Sequence, residues 1–317
     1  MDAAARVDLD GQYRALREEV GLVDRSQRGK VAVAGPDSAD FLQGQLTNDI
    51  EAVAPGHGCY AALLDRKGHM QADLRVLRLD EETIWLDTEP GADEAVLRHL
   101  AMYRIGREAE VEDVTAARAI LSLIGPRAAS LCGGDSLSPE YAHREVEIAG
   151  TSCRAVASDL GIDLICAAGQ AEQVAGALVQ AGAAQVSEGA AEILRVESGR
   201  PRFGHEMTTA TIPQEAGIDD RAVSFTKGCY IGQETVARLH YKGKPNRHLR
   251  GLRLEAPVAD GEAIALTDRE IGRIGTAVLS PALGPLALAV IRREAQPGAR
   301  VKVGDSAIGA EVTELPF

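Results

Sequence analysis

The chain of 317 residues contains few cysteines, and they lie far apart. Zinc and iron–sulfur sites commonly use cysteines separated by two residues, and no such C-x-x-C pair occurs. The spacing therefore gives no pattern of metal or cluster ligands, and the odd number of scattered thiols is typical of a reducing compartment. The five cysteines are Cys59, Cys132, Cys153, Cys166 and Cys229.

Segments that bind nucleotides or cross membranes are also missing. No P-loop and no glycine-rich dinucleotide motif after a strand is present, so nucleotide binding is unsupported. The most apolar late run, Leu286 to Ile291, is far too short for a membrane span. The N-terminal segment is acidic, whereas targeting peptides are basic or apolar. We therefore expect a cytoplasmic protein with no membrane partner.

Positive charge is scarce, with a formal net charge of −13. This charge disfavours general binding of polyanions. One basic strip stands out, RLHYKGKPNRHLR, which is either a solvated linker or a local site for an anion. Tyr241 is the one aromatic residue within it besides its histidines, so a stacking platform for single strands is not expected. Direct binding of nucleic acid is therefore not expected. The cations of the strip are Arg238, Lys242, Lys244, Arg247 and Arg250.

A repeat occurs in the first half of the chain. VAVAGPDSADFL at Val31–Leu42 is similar to LSLIGPRAASLC at Leu121–Cys132. Each copy predicts a strand, a Gly-Pro step and a helix with proline near its first turn. Further helices are predicted at Glu94–Met102 and Ala171–Ala181. Unless the similarity is a coincidence, this order predicts an α+β protein with two related α+β units and antiparallel sheets.

The last part of the chain, from Leu249 onward, has a different pattern. Short alternating strands are separated by Gly, Pro and Asp turns, which predicts a small β-barrel or sandwich. We divide the chain into a first α+β unit, a second unit that duplicates it, a linking segment with a distinctive motif, and a C-terminal barrel. These segments cover residues 1–116, 117–195, 196–246 and 247–317.

The distinctive motif is KGCYIGQETVAR, Lys227 to Arg238. Gly232 is predicted to begin a helix, on which Glu234 and Arg238 are spaced to form an ion pair. Lys227 and the amides at the helix start would lower the pKa of the Cys229 thiol. Two other interpretations are a small buried cysteine and a hydrolase nucleophile. The second would need His205 or His240, and no known nucleophile turn is present.

The motif matches the signature K-G-C-Y-x-G-Q-E-x-x-x-R of the YgfZ family. These folate-binding proteins resemble the T-protein (aminomethyltransferase) of the glycine cleavage system. The resemblance extends to VDRSQRGKVAVAG, LLDRKGHMQADLRV and ILRVESGRPRFGHEM, and so covers nearly the whole chain. It implies a three-domain cloverleaf around a central opening that holds tetrahydrofolate, with or without a polyglutamate tail. The basic strip would then be an anion site for that tail.

The resemblance also implies the residues that hold folate. Glu197 matches the T-protein glutamate that contacts the pterin, and Asp73 falls near the acid at the reacting folate nitrogen. Without the resemblance, they would be a solvated helix-end acid and a surface strand acid. The other predicted folate-binding residues are Tyr103 and Arg104, which could equally form an ordinary helix end, and Gln233 and Arg238 of the signature. His57 and Cys59 are too few for a metal site, and no metal is expected.

Three functions follow from these residues. The YgfZ resemblance implies a tetrahydrofolate-binding protein that assists iron–sulfur cluster assembly or repair, with Cys229 and Lys227 as its reactive residues. Such a protein would support cluster-dependent tRNA modification indirectly, and its partners would be iron–sulfur assembly or client proteins. The alternative is a folate-dependent aminomethyl- or methyltransferase with Asp73 as the acid/base group. The third is a non-catalytic adaptor, so whether a reaction is catalysed stays open.

Overall fold

The structure is a computed structural model that describes residues 3–134 and 137–317. Residues 1–2 and 135–136, which fall within the two predicted α+β units, lie outside the described residues. Contacts divide the chain into a larger region and a smaller region. The larger region consists of Met1–Leu63, Gln71–Ala191 and Thr226–Ile231, and the smaller region of Leu64–Met70, Glu192–Phe225 and Gly232–Phe317. The division into four segments stays a proposal.

The helices and strands of the first half begin and end at these residues: α1 (Ala3–Glu18), β1 (Gly21–Asp24), β2 (Gly29–Ala34), α2 (Ser38–Gln45), β3 (His57–Leu64), β4 (Met70–Arg78), β5 (Thr83–Thr88), α3 (Asp93–Tyr103) and β6 (Glu110–Asp113). The second α+β unit follows with β7 (Arg118–Ile124), β8 (His143–Ile148), β9 (Thr151–Ala157), β10 (Gly161–Ala167), α4 (Ala171–Gln180), β11 (Ala184–Gln185) and α5 (Glu188–Glu197). The remaining elements are α6 (Asp219–Ala222), α7 (Gln233–Lys242), β12 (Arg247–Leu254), β13 (Ala263–Leu266), β14 (Arg269–Arg273), β15 (Thr276–Ser280), β16 (Gly284–Arg292), β17 (Arg300–Val303) and β18 (Ile308–Thr313).

The two α+β units share one strand order. The first sheet runs β3-β4-β5-β2-β6, and the second runs β8-β9-β10-β7-β1 with β11 added beside β1. In both sheets the strand of the repeat, β2 or β7, pairs antiparallel with the strand that ends the following meander. The repeat strand has a second neighbour in each sheet, and this neighbour comes from a different part of the chain. β6 comes after the strands of the first sheet, whereas β1 comes long before the repeat strand β7. The predicted α+β class with two related antiparallel-sheet units is confirmed.

The Gly-Pro step of the repeat has the same backbone conformation in both copies. Gly35 has φ 132° and Gly125 has φ 127°, values that favour glycine. A Cβ atom on Gly35 would lie 2.2 Å from the Glu108 carbonyl oxygen, and one on Gly125 would lie 2.6 Å from that of Glu19. Conformation and space therefore both require glycine at these turns.

The prediction of a helix after the second Gly-Pro step was wrong, because the structure has only a short turn there. The first copy continues into α2, whereas the second forms a single 3-10 turn over Ala129–Cys132. This turn ends at Gly133, which has φ 95°. A glycine in the left-handed region terminates a helix, because it directs the chain away from the helix axis.

Strand β4 is buried along almost its whole length, yet its buried part carries two charged residues, Asp73 and Arg75. Arg75 donates from Nε to Asp87 Oδ2 on β5 at 2.6 Å and from NH1 to Asp163 Oδ2 at 2.5 Å. Asp163 lies on β10 in the second sheet, where it also accepts a hydrogen bond from Ser122 at 2.6 Å. Buried charges are stable only when they are paired, so Arg75 fixes the two sheets of the larger region to each other.

The C-terminal strands form a barrel, as predicted. Six of them run β12-β18-β17-β13-β14-β16, and β12 pairs with β16 to close the ring. β15 pairs with β16 alone, over Thr276 to Ser280. β14 and β15 are separated by two residues, Ile274 and Gly275. The interior contains aliphatic side chains such as Leu252, Ile264, Ile291 and Val312.

Among the described residues, no helix has both the length and the apolar composition needed to cross a bilayer.

We predict that Gly125→Ala lowers the free energy of unfolding by more than about 2 kcal/mol, because it adds backbone strain to a steric clash. Gly176→Ala in α4 is the matched control, since Gly176 has open space around its Cβ position. That change should stabilise the protein by about 0.5–1 kcal/mol, because alanine favours helix interiors. Urea unfolding of both variants would decide. Equal stability of Gly125→Ala and the wild type would contradict the argument.

Candidate functional site

The signature loop, which we define as Thr226–Ile231, lies against the C-terminal end of α2. The Lys227 ammonium donates to the carbonyl oxygens of Gln43, Leu46 and Asn48 at 2.5, 2.7 and 2.8 Å. The Ile231 amide donates to Gly44 O at 3.3 Å. The last carbonyl groups of a helix lack partners within it and carry partial negative charge. The signature loop therefore caps α2 with a positive charge.

These contacts favour a role for Lys227 other than thiol activation. Three carbonyl oxygens match the three N–H donors of an ammonium group. Burial lowers the pKa of Lys227 to about 8, opposed mainly by the charge of Asp49. The lysine is thus directed at the end of α2 and toward β3, and it holds the backbone of the signature loop in place.

Cys229 is exposed at the tip of this loop. Its neighbour Tyr230 is buried, and the Tyr230 ring centre lies 5.2 Å from Lys227 Nζ. A Cβ atom on Gly228 would meet nothing within 4 Å, so the approach to the thiol is open. The exposure excludes the interpretation of Cys229 as a buried core residue. The loop thus presents one accessible thiol between two anchored side chains.

The helix start predicted after the loop is confirmed. Gly232 has φ 85° at the N-cap of α7, which begins at Gln233. Gln233 is half-buried and Arg238 is exposed on this helix. The predicted ion pair between Glu234 and Arg238 is not formed within the described part of the chain. Both side chains therefore remain available to solvent or to a ligand.

Asp73 is one of the buried acids of the larger region. Its side chain is on β4, and the residue is 9% exposed, so it is not the surface acid considered from the sequence. Asp73 Oδ2 accepts a hydrogen bond from the Tyr60 hydroxyl at 2.8 Å. Its carbonyl oxygen accepts one from Thr88 Oγ1 at 2.7 Å. Oδ1 is buried and has no hydrogen-bond partner among the described residues.

The surroundings of Asp73 favour its protonated form. Burial, followed by the charge of Glu89, raises its pKa to about 6, although Tyr60 and Arg28 oppose the shift. Arg28 is bound to Asp87 at 2.8 Å and also to Glu89. The Arg28 guanidinium is therefore shared among several carboxylates and does not fully compensate Asp73. A carboxyl group with a pKa near neutrality suits proton transfer.

Glu197 ends α5 in the smaller region and is 8% exposed. Its Oε1 accepts a hydrogen bond from Ser280 Oγ at 2.6 Å, and its carbonyl oxygen accepts one from the Phe317 amide at 3.1 Å. It is therefore a buried carboxylate and not a solvated helix-end acid. Its contact with a pterin stays a prediction.

Tyr103 and Arg104 have the contacts of an ordinary helix end. The half-buried Tyr103 ring lies 4.7 Å from the His99 ring, measured between centroids. The Arg104 amide donates to Leu100 O at 3.0 Å, and its side chain is exposed. These contacts explain both residues without a ligand, and their contact with folate stays a prediction.

No metal centre is apparent in the part of the chain that the structure describes, since His, Cys, Asp and Glu do not gather there in suitable groups of three. His57 is exposed, and its Nδ1 lies 3.3 Å from Pro55 O. Burial raises the pKa of the Cys59 thiol to about 12, so this cysteine stays protonated.

Sequence reasoning missed the partners that define the Asp73 site, namely Tyr60, Arg28 and Glu89. One signal was present. The apolar strand β4 contains Asp73 and Arg75, and charged residues within a buried strand require partners. The sequence does not show which residues these partners are, because they come from β3, the residue that follows β5 and the turn before β2.

We predict that Asp73→Asn stabilises the folded protein at neutral pH. The native pKa of about 6 exceeds the usual value of 3.8, so wild-type stability falls as the pH rises through that window. By about pH 7 the carboxylate lowers stability by up to about 3 kcal/mol, and asparagine would restore most of it. The advantage should fall below about 1 kcal/mol near about pH 4, where the folded state binds the proton and the unfolded state is about half protonated. Urea unfolding at both pH values measures the difference.

Asp87→Asn is the control for this prediction, because Asp87 is a buried carboxylate with two guanidinium partners. Its loss should destabilise the protein at both pH values. The assignment of Asp73 as an unfavourably buried acid is wrong if Asp73→Asn behaves in the same way.

Comparisons with known protein families cover nearly the whole chain. Residues 5–227 match the model of the GCVT N-terminal domain. Residues 247–317 match that of the glycine cleavage T-protein C-terminal barrel domain. An aminomethyltransferase of Thermus thermophilus is 30% identical over 96% of this chain and 89% of its own. A putative chloroplastic transferase of Arabidopsis thaliana is 28% identical over 97% of this chain and 73% of its own.

A solved structure supports the same fold. The glycine cleavage system aminomethyltransferase T of Bartonella henselae superimposes with a TM-score of 0.88, at 24% identity. The match covers 98% of this chain and 89% of that chain. Together with the two domain models, these matches establish that the chain belongs to the glycine cleavage T-protein family.

Proposed function

We propose that this protein binds tetrahydrofolate and that Asp73 faces the reacting nitrogen of the reduced pterin. The observation that carries the proposal is Asp73 Oδ1, which is buried without a hydrogen-bond partner among the described residues. Leaving a buried acceptor unsatisfied costs about 1–3 kcal/mol, so such an atom is commonly satisfied by a ligand or by water. An N–H group of a reduced pterin is a suitable donor. The YgfZ and T-protein resemblance supports this choice of ligand.

The chemistry proposed for this site is the transfer of an aminomethyl or methyl group to folate. When bound, tetrahydrofolate supplies a nucleophilic nitrogen that takes up a one-carbon unit. Asp73, with a pKa of about 6, is largely ionised at neutral pH and can accept the proton released at that nitrogen. Tyr60 holds the other carboxylate oxygen and so keeps Oδ1 directed at the ligand. The names of the aminomethyltransferase relatives support this function.

A second function is favoured by Cys229. In this proposal the protein belongs to the YgfZ type and assists iron–sulfur cluster assembly or repair, which indirectly supports cluster-dependent tRNA modification. The complete signature and the exposure of its thiol support it. One thiolate cannot hold a cluster alone, because clusters usually need about four protein ligands. Cys229 would therefore share a cluster with a partner protein or form a transient mixed disulfide with it.

The basic strip is proposed to bind the glutamate tail of a polyglutamylated folate. Arg238, Lys242, Lys244 and Arg247 are exposed, and none of them forms a salt bridge within the described residues. In a protein with a net charge of −13 such a group is a local exception. Exposed cations attract a flexible polyanion mainly at low salt, since ions screen the interaction.

We expect Asp73→Asn to weaken the binding of tetrahydrofolate by about ten- to a hundred-fold, because a charge-assisted hydrogen bond contributes about 1.5–3 kcal/mol. The same loss is expected for Glu197→Gln if this carboxylate contacts the pterin. Glu94→Gln changes an exposed acid on α3 and should have no effect. Calorimetric titration with tetrahydrofolate measures all three. Unchanged affinity in Asp73→Asn would remove this residue from the site.

The variant Cys229→Ser distinguishes the proposed transferase function from the proposed role in cluster assembly. We expect this variant to bind tetrahydrofolate like the wild type but to fail in restoring cluster-dependent enzymes to a strain that lacks the gene. Cys59→Ala removes a half-buried thiol and should restore them fully. Formation of methylene-tetrahydrofolate by Cys229→Ser, together with full restoration, would favour the transferase and eliminate the cluster function.

A further inference from the structure

The three residues that follow α2 lie along β3, and we call this segment the strap, Leu46–Asn48. Leu46 forms a bridge with Leu63. The Thr47 amide donates to Ala62 O at 3.1 Å, and Thr47 Oγ1 accepts from the Ala62 amide at 2.8 Å. Asn48 Nδ2 donates to Tyr60 O at 2.8 Å. The strap thus binds to β3 residue by residue and reaches Tyr60.

Lys227 binds the backbone of the strap, which also contacts β3. Its ammonium group binds the carbonyl oxygens of Leu46 and Asn48, at the two ends of the strap, and that of Gln43 within α2. Three carbonyl oxygens that converge on one point repel one another unless a cation lies between them. α2 is only eight residues long and would be marginal without tertiary contacts. The lysine therefore keeps the end of α2 and the strap together.

The contacts continue from the strap to the buried acid. The backbone of Tyr60 accepts the hydrogen bond from Asn48, and its hydroxyl donates to Asp73 Oδ2. A continuous series of hydrogen bonds therefore joins Lys227, Asn48, Tyr60 and Asp73, and all four residues belong to the larger region.

We propose that Lys227 is a positioning residue for Asp73, acting through Asn48 and Tyr60. The proposal rests on the proposed function for its biological meaning, since Asp73 is the group assigned to the folate nitrogen. It gives the lysine of the signature a task different from activation of Cys229. One lysine then anchors both the loop that presents the thiol and the strand that orients the acid.

The test measures the titration of Asp73 without any ligand, by carbon-13 NMR of the aspartate carboxyl groups. Glu89, Arg28 and the Tyr60 hydroxyl are the charged and polar groups that act on this carboxyl. The hydrogen bond from Tyr60 lowers its pKa, so loss of that bond should move the midpoint upward from about 6. A residue that merely stabilised the fold would leave the midpoint unchanged.

We expect Tyr60→Phe to raise the midpoint and Lys227→Met to raise it in the same direction. The double variant should show no larger shift than Tyr60→Phe alone, because both changes break one series of contacts. Lys227→Arg keeps the charge, but its planar fork does not match three convergent carbonyls, so it should behave like Lys227→Met. Lys67→Met changes an exposed lysine and should leave the midpoint at its wild-type value.

Asn48→Ala provides a second route if Lys227→Met fails to fold. It removes the donor to Tyr60 O and keeps the backbone carbonyl that Lys227 binds. The same upward shift is expected from it. An unchanged midpoint in the folded Lys227 and Asn48 variants would overturn the proposal, as would a double variant whose shift equals the sum of the single shifts.

Titration of the same variants with tetrahydrofolate separates this inference from the proposed function. If the midpoints shift together as expected but the wild type does not bind tetrahydrofolate, the proposed function is wrong and the positioning role stands. If the wild type binds tetrahydrofolate and Lys227→Met retains both the wild-type midpoint and the wild-type affinity, the positioning role is wrong.

Discussion

The burial of charge along β4 is the constraint on which the larger region depends. Arg75 satisfies its guanidinium with carboxylates from both sheets, Asp87 and Asp163, and so connects them. Among the described residues, the side chain of Asp73, two positions earlier on the same strand, has a hydrogen-bond partner on one oxygen only, the Tyr60 hydroxyl. The first pairing is complete and structural. The second is incomplete, and an incompletely satisfied buried acid is a common feature of functional sites.

The signature is best understood as a scaffold around its cysteine. Its lysine binds three backbone carbonyls, its tyrosine is buried, and its second glycine turns the chain into α7. The thiol between them is exposed. Each of these residue types is therefore required by the geometry of the loop, which explains why so many positions of one short motif are specified together.

The fold was largely predictable from the sequence, whereas the site was predictable only in part. The repeat, the barrel and the helix start at Gly232 follow from local patterns of glycine, proline and apolar residues. The partners of Lys227 do not, because they are backbone carbonyls 179 to 184 residues earlier in the chain, and any residue type supplies a carbonyl. The contact of Tyr60 with Asp73 depends likewise on how neighbouring strands align, which no single segment determines.

β1 precedes the first α+β unit in sequence but pairs within the second sheet, and this has a consequence for folding. β1 pairs with β7 through Gly21 and Ile124, and with β11 through Gly21 and Ala184. Contacts between such distant parts of a chain form slowly, because the intervening loop must close first. During synthesis on the ribosome, β1 must remain unpaired until the first α+β unit and β7 have emerged. Its short length, four residues, limits the chance that this exposed edge associates with another nascent chain.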